Sequence, residues 1–238
     1  METYYNHMSL RSSYTLLIAL SLTLFSCNNN EKASADKSPK DTLAKTVSND
    51  VPTQNILFFG TSLTAGYGLD PGEAYPELIQ HQLDSLKLPY KAINGGLSGE
   101  TSAAGKGRID WLLKQPVSIF VLELGANDGL RGVAVKETTA NLQAIIDRVK
   151  EKYPKAKLML AGMEVPPNMG DKYASDFRNM FKILADKNKM TFLPFLLDGV
   201  AGIPKLNQND GIHPTATGQK IVAKNVWSKL QPLLSNTH

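Results

Sequence analysis

Five short apolar runs, each followed by a stretch with the rhythm of a helix, set the strongest limit on what this chain can fold into. The runs fall at 56–59, 90–94, 119–124, 158–161 and 190–195, and the first four lead straight into glycine. They are too short for helices and rich in strand formers. Helical periodicity occupies the gaps. Leu78, Ile79, Leu83 and Leu86 share a face over 71–87, and a second helix opens after 95–101 and ends near 114, where Pro116 stops it. Leu142, Ile145, Ile146 and Val149 line one side of 135–152, and Phe177, Phe181 and Leu184 do so in 173–189. The last helix is expected over 214–230, with Pro214 in its first turn. Strands alternating with helices specify a parallel sheet covered on both faces. The expectation is one three-layer α/β/α domain on a five-stranded parallel sheet, with no internal repeat. Right-handed crossovers then bring every loop that follows a strand to the same edge.

The chemistry-bearing residues fall on those loops. After the first strand comes Gly60-Thr61-Ser62, with Gly66 and Gly68 keeping the next turns tight. A serine just past the carboxyl end of a strand sits where open α/β sheets place their ligands. A helix N-cap is the plainer use of such a serine. A hydroxyl becomes a nucleophile at neutral pH only beside a base. Of the four histidines, His7 lies in the amino-terminal signal, His81 inside the first long helix and His238 at the terminus. His213 alone occupies a loop after a strand, held extended by Pro214. Asp210, across a turn containing Gly211, can reach the same imidazole and fix its tautomer; a helix-start cap beside a solvated histidine is the other reading of this spacing. For a tetrahedral oxyanion the candidate donors are the Ser62 and Gly99 backbone N–H groups and the Asn127 amide. Gly99 would allow close approach of a substrate; as simple turn residues, Gly99 and Asn127 also make sense. Leu69, Leu130, Val133, Val165 and Met169 lie on the loops that would wall an acyl groove, or pack those loops.

Gly60-Thr-Ser62-Leu, Ser98-Gly99-Glu-Thr, Gly125-Ala-Asn127-Asp and Asp210-Gly-Ile-His213-Pro resemble, in order, the four blocks of the SGNH (GDSL-type) hydrolases, over about residues 54–236. The stretch Glu123-Leu-Gly-Ala-Asn-Asp-Gly-Leu-Arg-Gly132 is similar to the bacterial arylesterase, thioesterase and lysophospholipase subgroup. The resemblance implies a flavodoxin-like fold and metal-independent ester hydrolysis. It places the catalytic roles on Ser62, Asp210 and His213, with Gly99 and Asn127 in the oxyanion hole. One position departs: Thr61 stands where the family usually has Asp, a residue outside the triad that bears on the hydrogen bonding of the neighbouring loop. Gly-x-Ser-x-Gly is absent, so the α/β-hydrolase elbow is not the template.

The amino terminus reads as an export signal. Arg11 precedes an apolar segment, 14–25, too short to span a bilayer. Ser26-Cys27 then resembles a bacterial lipobox, which implies lipidation of Cys27, the sole cysteine; a plain secretory signal is the alternative. Residues 1–26 are expected as signal peptide, 27–53 as a lipidated tether too polar to fold, and 54–238 as the hydrolase domain. The protein would then sit on a membrane of the bacterial cell envelope, on the periplasmic or surface side. Net charge of +4 with interleaved signs gives no reason to expect nucleic acid. The histidines are too scattered for a metal set, so neither metal nor cofactor is expected, and a monomer acting on a small-molecule or lipid ester is. Three other functions compete with this reading. A carbohydrate O-acetyl esterase would use the same residues. A nucleotide-binding module lacks Gly-x-Gly-x-x-Gly. A non-catalytic surface lipoprotein would leave the complete set of catalytic residue types unexplained.

Overall fold

A computed structural model describes residues 53–234. Its centre is a parallel sheet of β1 (Gln54–Gly60), β2 (Tyr90–Asn94), β3 (Ile119–Glu123), β4 (Lys157–Ala161) and β5 (Thr191–Leu193), in the order β2-β1-β3-β4-β5. The central strands are buried on both faces, which is why they read as unbroken apolar runs: Ile56 to Phe59 and Phe120 to Leu122 have no exposure. Each such side chain contributes roughly 1.5–3 kcal/mol on leaving water.

Two helices, α2 (Tyr75–Ser85) and α7 (Ala216–Leu230), pack on each other, and α5 (Val135–Lys152) packs between α3 (Ser102–Leu112) and α6 (Asp171–Asn188). With the sheet between them this is the three-layer α/β/α arrangement. Two one-turn helices, α1 (Ser62–Ala65) and α4 (Ala126–Leu130), follow β1 and β3 directly.

Several boundaries differ from the sequence expectation for local reasons. Helix α2 starts at Tyr75 rather than 71, because Gly72 has φ +96° and residues 70–73 close a turn through Glu73 N–H to the Asp70 carbonyl. β5 ends at Leu193 because the chain bulges there: the Leu193 carbonyl accepts from Gly162 N–H at 2.8 Å, but the next bond back to the Gly162 carbonyl comes from Leu196 N–H at 3.0 Å, one residue late for a regular ladder. Pro214 is not in the first turn of α7. It pairs with Asn207 in an isolated antiparallel bridge, and Thr215 caps the helix by accepting from Gly218 N–H at 3.3 Å.

The strand order reverses between β1 and β3, where doubly wound sheets open a crevice at their carboxyl ends. Gly60 and Glu123 face each other there in register. The signal, Cys27 and the tether as far as residue 52 lie outside the described residues.

Candidate active site

Thr61, not Ser62, caps the one-turn helix α1. Its hydroxyl accepts from Leu63 N–H at 3.3 Å, and Gly66 closes the turn with φ +73°. Ser62 is thereby left as the first helical residue, mostly buried, with its hydroxyl free of capping. That hydroxyl lies 2.8 Å from His213 Nε2.

His213 Nδ1 lies 2.7 Å from Asp210 Oδ2. The other oxygen, Oδ1, accepts from Ile212 N–H at 2.9 Å and His213 N–H at 3.0 Å. Gly211, at φ +71°, makes the turn tight enough for one aspartate to take both backbone and ring. The His213 backbone N–H, the ring and the Ile212 N–H together hold the Asp210 carboxyl down at about 2. A negative charge is thus fixed beside the imidazole. The Tyr67 ring leans on that imidazole, centroids 4.6 Å apart, and its carbonyl accepts from Gln208 Nε2 at 2.7 Å. Gln208 N–H donates to the His213 carbonyl at 2.7 Å, so one residue ties the turn after α1 to the histidine loop.

Gly99 and Asn127 lie together. Asn127 Nδ2 donates to the Glu100 carbonyl at 3.0 Å, which orients the amide and leaves it a second N–H to give. The requirement for glycine at 99 comes from φ +77°; a Cβ there would meet nothing within 4 Å, so the space beside it is open. Arg131 donates to the Gly99 carbonyl at 3.3 Å, and buried Glu100 takes Arg108 Nε at 2.7 Å. Buried Asp128 accepts from Ser102 N–H at 2.8 Å and from the Ser102 hydroxyl, joining α4 to the start of α3. Leu97 N–H donates to the Gly60 carbonyl at 2.9 Å, which sets this loop against the turn that carries Ser62.

The five groove candidates divide. Val165 and Met169 border α4 and the turn after it: the first crowds Gly129 and the second approaches Gly132. Val133 joins them through its carbonyl, which accepts from Tyr173 at 2.7 Å, and Leu130 is exposed at the end of α4. Leu69 stands apart, in the turn after Gly66 on the histidine side. Tyr67, Gln208, Glu123 and Asp128 are site residues that the sequence reading did not single out. Glu123 had a visible signal, a carboxylate inside an otherwise apolar strand run. Among the described residues no cluster of three or more His, Cys, Asp or Glu is placed to hold a metal.

Comparison with known proteins places the chain among ester hydrolases in sequence and fold. The chain is 37% identical over 182 residues to esterase TesA of Pseudomonas aeruginosa, covering 76% of this chain and 90% of that one. It is 35% identical to thioesterase 1/protease 1/lysophospholipase L1 of Escherichia coli K12, over 76% of this chain and 85% of the relative. Among solved structures, the psychrotrophic esterase EstA from Pseudoalteromonas sp., inhibited by monoethylphosphonate, superposes with a TM-score of 0.71 at 32% identity, covering 75% of this chain and 97% of that one. Residues 58–221 match the model of the GDSL-like lipase/acylhydrolase family, and the chain belongs to that family.

Proposed function

We propose that the protein is a serine hydrolase of carboxylic esters and thioesters that works through an acyl-enzyme on Ser62. The observation that carries the reading is the unbroken line from Ser62 Oγ through His213 to Asp210, at 2.8 and 2.7 Å. Neutral His213 takes the Ser62 proton as Oγ attacks the acyl carbon, and the imidazolium is stabilised by Asp210. The carbonyl electron pair moves onto oxygen, where Ser62 N–H, Gly99 N–H and the second Asn127 N–H receive it. His213 then returns the proton to the leaving alcohol or thiol. Water, deprotonated by the same imidazole, releases the acid and restores Ser62.

Apolar side chains stand exposed on the loops that meet at this edge: Tyr67, Leu97, Leu130 and Ile212. They favour an aryl or long acyl group, as in a lysophospholipid, over an acetylated sugar. The names of the relatives support the same class. The test is a panel of p-nitrophenyl esters of rising chain length, lysophospholipids and acetylated sugars, with fluorophosphonate labelling of wild type and Ser62→Ala. Hydrolysis with label on Ser62 is expected; a labelled Ser62→Ala would move the nucleophile elsewhere.

The protein acts as a monomer held to a cell-envelope membrane by a lipid on Cys27, a reading supported by the apolar segment before Ser26-Cys27. Cys27→Ala should leave the membrane fraction and keep esterase activity. Retention of the variant after a salt wash would sink the anchor.

A further inference from the structure

The reaction above gives no task to Glu123, a buried acid beside the Ser62 turn. Glu123 ends β3 with no exposure to solvent. A carboxylate in such a place is costly unless donors surround it. Here they do. Thr61 N–H and the Thr64 hydroxyl each reach Oε2 at 2.8 Å, and the Thr61 hydroxyl lies 3.1 Å from both oxygens. The Thr64 hydroxyl has spent its hydrogen on Glu123, so Tyr75 donates to it, at 2.9 Å. The cluster has no slack: a Cβ on Gly60 would stand 2.5 Å from Glu123 Oε2 and 2.1 Å from Thr64 Oγ1.

We propose that Glu123 is a positioning residue for the nucleophile: its buried carboxylate, gripping Thr61 and Thr64 on either side of Ser62, sets the Ser62 hydroxyl opposite His213. The inference rests on Ser62 being the nucleophile.

Every group on the carboxylate is a donor, so only its ionised form satisfies them all. A protonated acid would turn an O–H toward one of those donors and lose that bond. Burial pushes the Glu123 carboxyl up to about 7, with the Thr61 N–H and the Thr64 and Thr61 hydroxyls pulling it back. The titratable groups facing it are Tyr75 on α2, linked through Thr64, and Glu77 on the same helix, whose charge bears on Tyr75. From β1 the neighbour is Gly60, and from α7 Gln219 reaches the surrounding shell by accepting from Tyr75 N–H at 3.1 Å; neither titrates. No Lys or Arg pairs with Glu123 among the described residues. Thr61 matters to the charge state. Its hydroxyl adds a donor, whereas a second acid at 61 would face Glu123 and force one of the two to keep its proton.

The test is the pH profile of kcat/KM for a p-nitrophenyl ester, using the whole chain. Wild type must ionise Glu123 as well as free its general base, so its acid limb should approach a slope of two. Glu123→Gln should show a slope of one. Its kcat should fall by up to about 100-fold, the scale of a misplaced reacting group, with KM nearly unchanged. Should that variant fail to fold, Thr61→Val and Thr61→Ser carry the test: fluorophosphonate labelling of Ser62 should slow in the first and recover in the second. A wild-type acid limb of unit slope, a Glu123→Gln enzyme with wild-type kcat and profile, or equal labelling of both Thr61 variants would overturn the positioning role. Those results leave the nucleophile assignment standing; activity and label retained by Ser62→Ala would remove it instead.

Discussion

Ser62 and His213 share one hydrogen bond, yet they are held in opposite ways. The serine turn is fastened from inside, where Thr61 and Thr64 grip a carboxylate with no access to water. The histidine loop is fastened from within itself, by Asp210, three residues back and partly in solvent. The first half depends on the sheet being folded, because Glu123 sits on β3 and Ser62 after β1. The second is a local turn laid over it. Disturbing the serine turn should therefore reach stability and catalysis together, while disturbing the histidine loop should reach catalysis alone.

The largest effect should come from Ser62→Ala, which removes the proposed nucleophile without touching the Glu123 contacts. Turnover should drop by on the order of 10⁶, with labelling abolished and the melting curve kept. Asp210→Asn should cost about 10⁴ in kcat. The amide can still accept from the Ile212 and His213 N–H groups, but it offers an N–H to the ring and imposes the wrong tautomer. Since the loop is exposed, its melting point should stay near wild type; a large fall would show that the histidine loop is structural after all. Asn127→Ala should lower kcat by about 10²–10³ and leave KM little changed, as expected for one lost oxyanion donor. Wild-type kcat there would reduce Asn127 to a support for Glu100. Gln208→Ala cuts the stitch between the two halves. At about 1 kcal/mol per lost hydrogen bond, a reduction in kcat of under about tenfold is expected.

Acid should separate the halves most finely, because their carboxyls shift in opposite directions. Glu123, raised to about 7, keeps its proton in the fold where the unfolded chain has lost it. Its contribution to stability is therefore full below about pH 4.5 and is lost as pH rises to about 7. Asp210, lowered to about 2, contributes above its ordinary value and loses that contribution as pH falls through 2, weakly because it is exposed. Urea melts at pH 5 and pH 8 should show Glu123 as higher stability at the lower pH, in the range where catalysis is falling. The difference should vanish in Glu123→Gln.

Much of this could be read from the chain. Continuous apolar runs announce strands buried on both faces, and a histidine before proline on the last strand-end loop singles itself out. The one-turn helices α1 and α4 could not be seen, since four or five residues are too few to show a period. Nor could the early stop of β5 at Leu193, set inside an apolar run. The bonds from Glu123 to Thr61 and Thr64 span about sixty positions and exist only once β1 and β3 pair in register. Glu123 announces its oddness in the sequence but not its partners. The groove candidates show the same limit. Loop membership could name Leu130, Val133, Val165 and Met169 as candidates together, but it did not reveal that Leu69 stands apart or that Tyr67 leans on His213.

The bare Cα of Gly60 has a consequence for how a sequence like this can drift. With a Cβ blocked by Thr64 and Glu123 together, no single substitution at 60 is neutral unless one of those partners has shrunk first. Positions 60, 64 and 123 therefore form a lock whose permitted moves are ordered. In a saturation library, alanine at 60 should be recovered only on backgrounds already altered at 64 or 123, and such lineages should have surrendered turnover before gaining the new side chain. The route away from this site passes through slower ancestors, which fences the site in more firmly than the tolerance of any one residue would suggest.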